Sequence, residues 1–139
     1  MPSPVVNLET VGTWLADNTG FIKGGNLQVQ FATQDAPGRC VTITNNGGAK
    51  PYMDPPRTRI DWMLQVLSRA PDWGDAHDDS GIFYKFLYED GTSHVGLPVG
   101  APTFRIEFIT CTGAPQYIGR DDAGRFQFSA NYNLKIFKL

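Results

Sequence analysis

The sequence has few residues of the kinds that build metal centres or bind polyanions. It has two cysteines and two histidines among 139 residues. Neither a C-x-x-C nor an H-E-x-x-H motif occurs, so no zinc site is expected. Charged residues make up only 19% of the chain, and twelve basic against fourteen acidic residues leave a net charge of −2. This balance excludes a generally basic nucleic-acid binder and a polybasic membrane binder.

Long apolar runs are also missing. No run approaches the roughly 18–20 residues of a membrane span, and the first residues lack the basic and apolar regions of a signal peptide. We therefore expect a soluble intracellular protein without membrane association. Cys40 and Cys111 lie far apart in the sequence. Without export, unpaired buried thiols are favoured over a disulfide.

Signals for catalysis are weak. The sequence has no G-x-S-x-G elbow, no P-loop and no G-x-G-x-x-G motif. The adjacent His77, Asp78 and Asp79 would need further ligands to hold a metal, and the other histidine, His94, lies downstream in a Gly-rich stretch. Segment 119–125 lacks the D-x-[DN]-x-[DN]-G alternation and the trailing Glu of a calcium loop. We expect no enzyme activity, no metal and no cofactor.

Aromatic residues, glycine and proline are plentiful, with nine Phe, five Tyr, three Trp, fifteen Gly and ten Pro. So many rings require a buried core, and the glycines and prolines predict many turns. A chain of 139 residues is long enough to bury such a core without disulfides. We therefore expect a single domain over 1–139.

The hydrophobic pattern predicts an α+β fold. A first helix is expected with Ser3 as its cap, Pro4 at its first position and Gly20 as its stop. The main helix is expected over about 75–89, with Asp75 as its cap. Strands are predicted at 27–31, 39–44, 60–67, 104–108 and 126–136. The first two should form a hairpin, and the third should be central. This order predicts a mostly antiparallel sheet with two helices packed on one face.

The main helix carries apolar residues on two sides. One stripe is made by Ile82, Phe83, Phe86 and Leu87, and Tyr84 and Tyr88 form a second stripe that continues from His77. A helix with two apolar sides should contact more than one sheet or partner. The second stripe is either covered by a loop or part of a subunit contact.

Two stretches of the sequence resemble a known family. Residues 64–69 predict a strand that ends in Ser-Arg and precedes an aromatic-rich helix. Residues 115–126, with the sequence PQYIGRDDAGRF, lead into a long strand that contains the SANY of 129–132. This order of Pro, Gly-Arg-Asp, Gly-Arg and an Asn-containing strand resembles the bacteriophage minor capsid and tail terminator family. The resemblance extends over about 60–136.

The resemblance implies a small α+β protein that assembles into a homo-oligomeric ring, commonly a hexamer, at the head-proximal end of a phage tail. Such a ring ends tail-tube polymerisation and binds the head connector or neck protein. It is part of the virion and assembles in the bacterial host cytoplasm. The family has no catalytic residues. We expect DNA to pass through the ring without specific binding, because phosphate affinity comes from Lys and Arg.

Two irregular segments are the candidate contact regions, because they combine irregular sequence with mixed charge. The candidates are Lys50, Tyr52, Met53 and Arg57 in loop 45–57, and Arg120, Asp121, Asp122 and Arg125 in segment 119–125. Segment 119–125 is equally well explained as a polar connection between two strands.

Two other functions remain open. A head-completion or neck adaptor would bind on the portal side. A small-molecule hydrolase or binding module would use His77 and Asp78 together with Tyr84.

Overall fold

The computed structural model describes residues 6–30, 37–45, 50–51 and 59–139. These residues form two α-helices, one π-helical turn and seven strands. In chain order they are α1 (Leu8–Thr19), β1 (Leu27–Val29), β2 (Cys40–Asn45), β3 (Lys50–Pro51), β4 (Arg59–Ala70), α2 (Trp73–Tyr84), the π-helical turn (Lys85–Glu89), β5 (Ser93–Leu97), β6 (Phe104–Arg120) and β7 (Phe126–Lys138). The predicted α+β class is confirmed.

The strands form one mixed sheet in the order β1-β2-β4-β7-β6-β5, with β3 also pairing with β4. β1 and β2 pair in parallel, with Leu27 opposite Val41, whereas the other described strand pairs are antiparallel. The predicted β1–β2 hairpin is therefore wrong. An alternating pattern indicates which face of a strand is buried and leaves its direction open, so the two strands could be found but not oriented.

The central strand pair is β4–β7, which runs in register from Arg59 opposite Phe137 to Ala70 opposite Phe126. Alternate residues of both strands are buried, as the period of two requires. These buried side chains share one core with residues of α1, α2 and the π-helical turn. They include Leu64, Val66, Tyr132 and Leu134. The predicted central strand is confirmed, and it is longer than the pattern suggested.

Helix α1 begins with Asn7 as its cap, whose side chain accepts a hydrogen bond from the Glu9 N–H at 2.8 Å. It ends at Gly20, which has a φ of 80° and donates its N–H to Ala16. The predicted stop is therefore confirmed. The predicted start is wrong, because the helix begins at Leu8 with Asn7 as its cap. Ser3 and Pro4 lie outside the described residues.

Helix α2 begins earlier than predicted, because Asp72 rather than Asp75 is its cap, accepting from the Asp75 N–H at 3.2 Å. From Lys85 the helix widens into the π-helical turn. Tyr84 is half-buried and Tyr88 is exposed, and their rings lie 5.5 Å apart. Of the two tyrosines of the second stripe, only Tyr84 is thus partly covered.

Strand β6 is much longer than predicted, because it continues from Phe104 to Arg120. Register shifts interrupt its pairing with β7 at several places beyond Ile106. Each such shift exchanges the two faces of the strand, so the alternation that marks a strand is lost. The short strand β5 was also missed.

Candidate assembly surfaces

The predicted contact segment 119–125 forms the tight turn between β6 and β7, and two of its candidates serve that turn. Asp121 accepts hydrogen bonds from the backbone N–H groups of Ala123 and Arg125 at 3.0 and 2.8 Å, and from Arg125 Nε at 2.7 Å. Partial burial opposes ionisation of this carboxyl, but the hydrogen bonds from Arg125 prevail and hold the pKa of Asp121 below its ordinary value. Asp121 and Arg125 therefore close the hairpin.

The other two candidates of this segment are exposed. The Arg120 guanidinium lies over the ring of Phe126, with Cζ 4.4 Å from the ring centroid, a cation–π geometry. Asp122 lies at the surface of the turn. These two residues give the hairpin tip one charge of each sign.

The candidates of loop 45–57 lie mostly outside the described residues. Lys50 is in β3, where its backbone pairs with Asp61 of β4. Tyr52, Met53 and Arg57 are not among the described residues, and their prediction stays a prediction.

An aromatic patch lies where the β6–β7 hairpin meets the first turns of α2. We define it by Trp73, His77, Tyr117, Phe126 and Phe128. The Trp73 and His77 rings stack at 5.1 Å, and both meet Phe128 edge-on at 5.2 and 5.6 Å. Tyr117 contacts Phe126 and Phe128.

Part of the aromatic patch faces solvent. Phe128 is buried beneath it, whereas Trp73 and Tyr117 keep 46% and 43% of their surface exposed, and the neighbouring Ile118 keeps 52%. Sequence analysis missed this patch, because its residues come from segments at least 40 positions apart. The one local signal is the exposed Trp in the Pro-Asp-Trp-Gly turn before α2.

An ion pair fixes α2 beside this patch. Arg39, just before β2, donates from Nε and Nη2 to the carboxylate of Asp79 at 3.0 and 2.9 Å, and its Nη1 lies 3.3 Å from Asp75. Asp79 is buried. The hydrogen bond to Asp79 raises the pKa of the Arg39 guanidinium. A buried carboxylate needs such a partner, so Arg39 positions the helix on which Trp73 and His77 lie.

The face of the sheet that carries Thr44, Gln65 and Ser129, here called the second face, has uncharged polar side chains along its centre, with Met63 and Leu67 beside Gln65. Thr44 Oγ1 donates to Gln65 Oε1 at 3.2 Å, and Gln65 Nε2 donates to Ser129 Oγ at 3.0 Å. Asn131 and Asn133 continue this strip along β7. Towards the start of β4 the strip ends at the Lys135–Asp61 ion pair, 2.7 Å long.

A groove of about 640 Å³ lies at that end of the second face. Its walls combine phenyl rings with side chains of both charges. The lining residues are Arg59, Ser93, His94, Glu107, Phe108, Lys135, Ile136 and Phe137. The Phe108 ring is 49% exposed, and Arg105 donates to Glu107 at 2.7 Å. Sequence analysis did not single out this groove, because the register shift between Ile106 and Phe108 decides which way Phe108 faces.

The residues considered for hydrolysis are not brought together as a set. His77 Nδ1 lies 3.3 Å from the Asp78 carboxylate, and the His77 ring is stacked on Trp73. Tyr84 is seven residues further along, or about 10 Å along the helix axis. In the described ranges no group of three His, Cys, Asp or Glu side chains is placed to hold a metal ion.

Tyr84 instead approaches Tyr132 and Cys111, which are cross-strand neighbours on β7 and β6. Burial raises the pKa of the Cys111 thiol and, more strongly, that of the Tyr132 phenol. Tyr132 is fully buried, and among the residues described here its hydroxyl has no hydrogen-bond partner. Cys40 and Cys111 are both free thiols, the first buried and the second half-buried.

Comparison with protein-family models gives no match for this chain, and no curated protein matches it. None of the described helices has the length and apolar character needed to cross a membrane.

Proposed function

We propose that this chain is a structural protein of a tailed bacteriophage, a tail terminator that forms a ring at the head-proximal end of the tail tube. The ring ends tube polymerisation and joins the tail to the head. The proposal starts from the resemblance of residues 60–136, and the structural observation that carries it is the aromatic patch between α2 and the β6–β7 hairpin.

The patch has the composition of a protein contact surface. Aromatic residues and arginine are enriched in interfaces, and here Trp73 and Tyr117 are half-exposed next to Ile118 and Arg120. Clusters of exposed rings are uncommon on soluble monomers and mark interaction sites. A subunit that assembles with copies of itself would bury these rings.

The second face of the sheet suits the passage of DNA. Its centre carries hydroxyl and amide groups such as Thr44, Gln65 and Asn131, and the cations Arg69 and Lys135 lie towards its two ends. Because phosphate affinity depends on cationic side chains, a ring lined by such a surface would let DNA slide without specific binding. Further partners in the proposal are the tail-tube protein and the head connector, and the site of assembly is the bacterial host cytoplasm.

The test is to mix the purified protein with tail tubes assembled from the major tail protein of the same phage, and to examine the tube ends by negative-stain electron microscopy. The proposal predicts one ring at one end of each tube and tubes that stop growing when the protein is added. A protein that stays monomeric and leaves tube ends unchanged contradicts it. Binding to portal or neck proteins without binding to tubes would show a neck adaptor instead.

A further inference from the structure

The segment that joins β3 to β4 belongs to a contact region that the sequence predicts, and both of its ends are fixed at one end of the sheet. Pro51 of β3 pairs with Ile60 of β4, and segment 52–58 between them lies outside the described residues. Pro55 and Pro56 are each four residues from one of these two anchors. Each therefore stays within about 14 Å of its anchor, because an extended chain spans at most about 3.6 Å per residue.

The aromatic patch lies towards the other end of β4. Its central residue, Phe128, pairs with Ser68, which is eight residues beyond Ile60 and about 26 Å from it along the strand. Segment 52–58 is too short to cover this distance, so it does not reach the patch of its own chain. A contact between the two joins unlike surfaces of two copies, and such a heterologous contact generates a ring when its rotation closes.

The solvent-facing side of the patch combines aromatic rings with carboxylates. Trp73 and Tyr117 are 46% and 43% exposed. Asp72 and Asp78 flank the stacked rings of Trp73 and His77 along α2, and both are exposed. Neither carboxylate forms an ion pair with a Lys or Arg in the part of the chain that the structure describes. The patch therefore offers apolar rings and negative charge to the same partner.

Segment 52–58 has the composition that such a surface binds. Its sequence is YMDPPRT, in which two adjacent prolines are followed by Arg57. Proline-rich chains dock on exposed aromatic rings, because the polyproline conformation is preformed and loses little entropy on binding. An arginine beside the prolines forms charge-assisted hydrogen bonds with carboxylates.

We infer that segment 52–58 of one copy of this chain docks on the aromatic patch of the next copy, so that the subunits join head to tail. The two prolines pack on Trp73 and Tyr117, and Arg57 pairs with the flanking carboxylates. This inference rests on the proposed ring function, and it names the segment that covers the patch in the ring.

A peptide with the sequence of residues 50–59, KPYMDPPRTR, tests the contact directly. The other two tryptophans of the chain are buried, so the half-exposed Trp73 reports on the patch by fluorescence. The protein in this titration carries Pro55→Gly and Pro56→Gly, because its own segment then competes weakly. Its emission should shift to shorter wavelength and saturate as the peptide is added. A control peptide with glycine in place of both prolines should bind at least tenfold more weakly.

Native mass spectrometry, with and without tail tubes, measures assembly. The double-glycine variant and Tyr117→Asp, which places a charge on the patch, should each form the ring at least tenfold more weakly than wild type. Val99→Asp is the matched control and should assemble like wild type, because Val99 is 81% exposed in the turn after β5 and belongs to neither surface. Circular dichroism melting shows that each variant is folded. If Tyr117→Asp does not fold, Tyr117→Ser replaces it.

Mixing the two assembly variants tests whether the contact joins unlike surfaces. An equimolar mixture of the double-glycine variant and Tyr117→Asp should give a heterodimer, because the intact segment of one copy fits the intact patch of the other. Neither variant alone should form a dimer under the same conditions.

Three results overturn the inference and leave the ring function standing. The first is a peptide that leaves the emission of Trp73 unchanged or binds no more tightly than its glycine control. The second is a double-glycine variant that forms rings as readily as wild type, whether or not Tyr117→Asp does. The third is a mixture of the two variants that forms no heterodimer. A wild type that forms no ring alone or on tubes removes the proposed ring function, and the peptide titration then still decides the contact.

Discussion

Two glycines in helices provide a sharp test of how closely α1 packs on the sheet. A Cβ added at Gly12 of α1 would lie 2.9 Å from Val29 Cγ2 and 3.4 Å from Ile43 Cδ1. A Cβ added at Gly81 of α2 would have no neighbour within 4 Å. Gly12→Ala and Gly81→Ala are therefore the same chemical change in two different environments.

The expected magnitudes follow from two opposing effects. Replacing Gly by Ala inside a helix stabilises by about 0.5–1 kcal/mol, because the unfolded chain loses conformational freedom. At Gly81 this gain stands alone, so the variant should be more stable than wild type. At Gly12 the new methyl group is far closer to Val29 than the roughly 3.5–4.0 Å of an ordinary carbon contact. Val29 is β-branched and stiff, and overpacking of this kind costs about 1–3 kcal/mol.

Urea unfolding followed by tryptophan fluorescence measures both variants. Gly12→Ala should be less stable than Gly81→Ala by about 1–3 kcal/mol, with equal denaturant slopes. If Gly12→Ala is as stable as Gly81→Ala, then α1 does not approach β1 and β2 as closely as the structure describes.

Three further predictions concern polar groups that are buried or partly buried. Tyr132→Phe removes a buried hydroxyl that has no partner among the described residues and should raise stability by about 1 kcal/mol in urea unfolding; a loss of that size would reveal a bonded hydroxyl. Arg39→Ala leaves the buried Asp79 carboxylate without its ion partner and should cost about 1–3 kcal/mol; a double-mutant cycle with Asp79→Asn should show coupling, and additive effects would contradict the pairing. The pKa of Asp121 is lowered in the folded state. The ionised Asp121 carboxylate therefore contributes its full stabilisation at pH values above the pKa that Asp121 has in the unfolded chain. This contribution is lost as the pH falls through the pKa that Asp121 has in the folded protein. Wild type should lose stability on acidification below about pH 5 more steeply than Asp121→Asn, and parallel pH profiles would contradict this.

The parts of the fold that could be predicted are those in which burial alternates without interruption. β4 and β7 alternate over most of their length, and Gly20 ends α1 by local backbone geometry alone. The parallel pairing of β1 with β2 could not be predicted, because alternation carries no information on strand direction. The second half of β6 was missed, because register shifts break the alternation there.

The candidate surfaces were predicted less well than the fold. Segment 119–125 was found from its composition, but charge alone could not show that Asp121 and Arg125 bond to each other while Arg120 and Asp122 are exposed. The aromatic patch joins α2 to the β6–β7 hairpin, and the pairing of distant strands creates it. The groove depends on which way Phe108 faces after a register shift.

The central claim is that this chain acts by self-assembly, and the mass of the assembled species tests it most directly. Native mass spectrometry of the wild-type protein mixed with tail tubes should show a ring of several copies; a hexamer of the 15.3 kDa chain has a mass of about 92 kDa. A species of 15.3 kDa alone, both free and in the presence of tubes, would contradict the account.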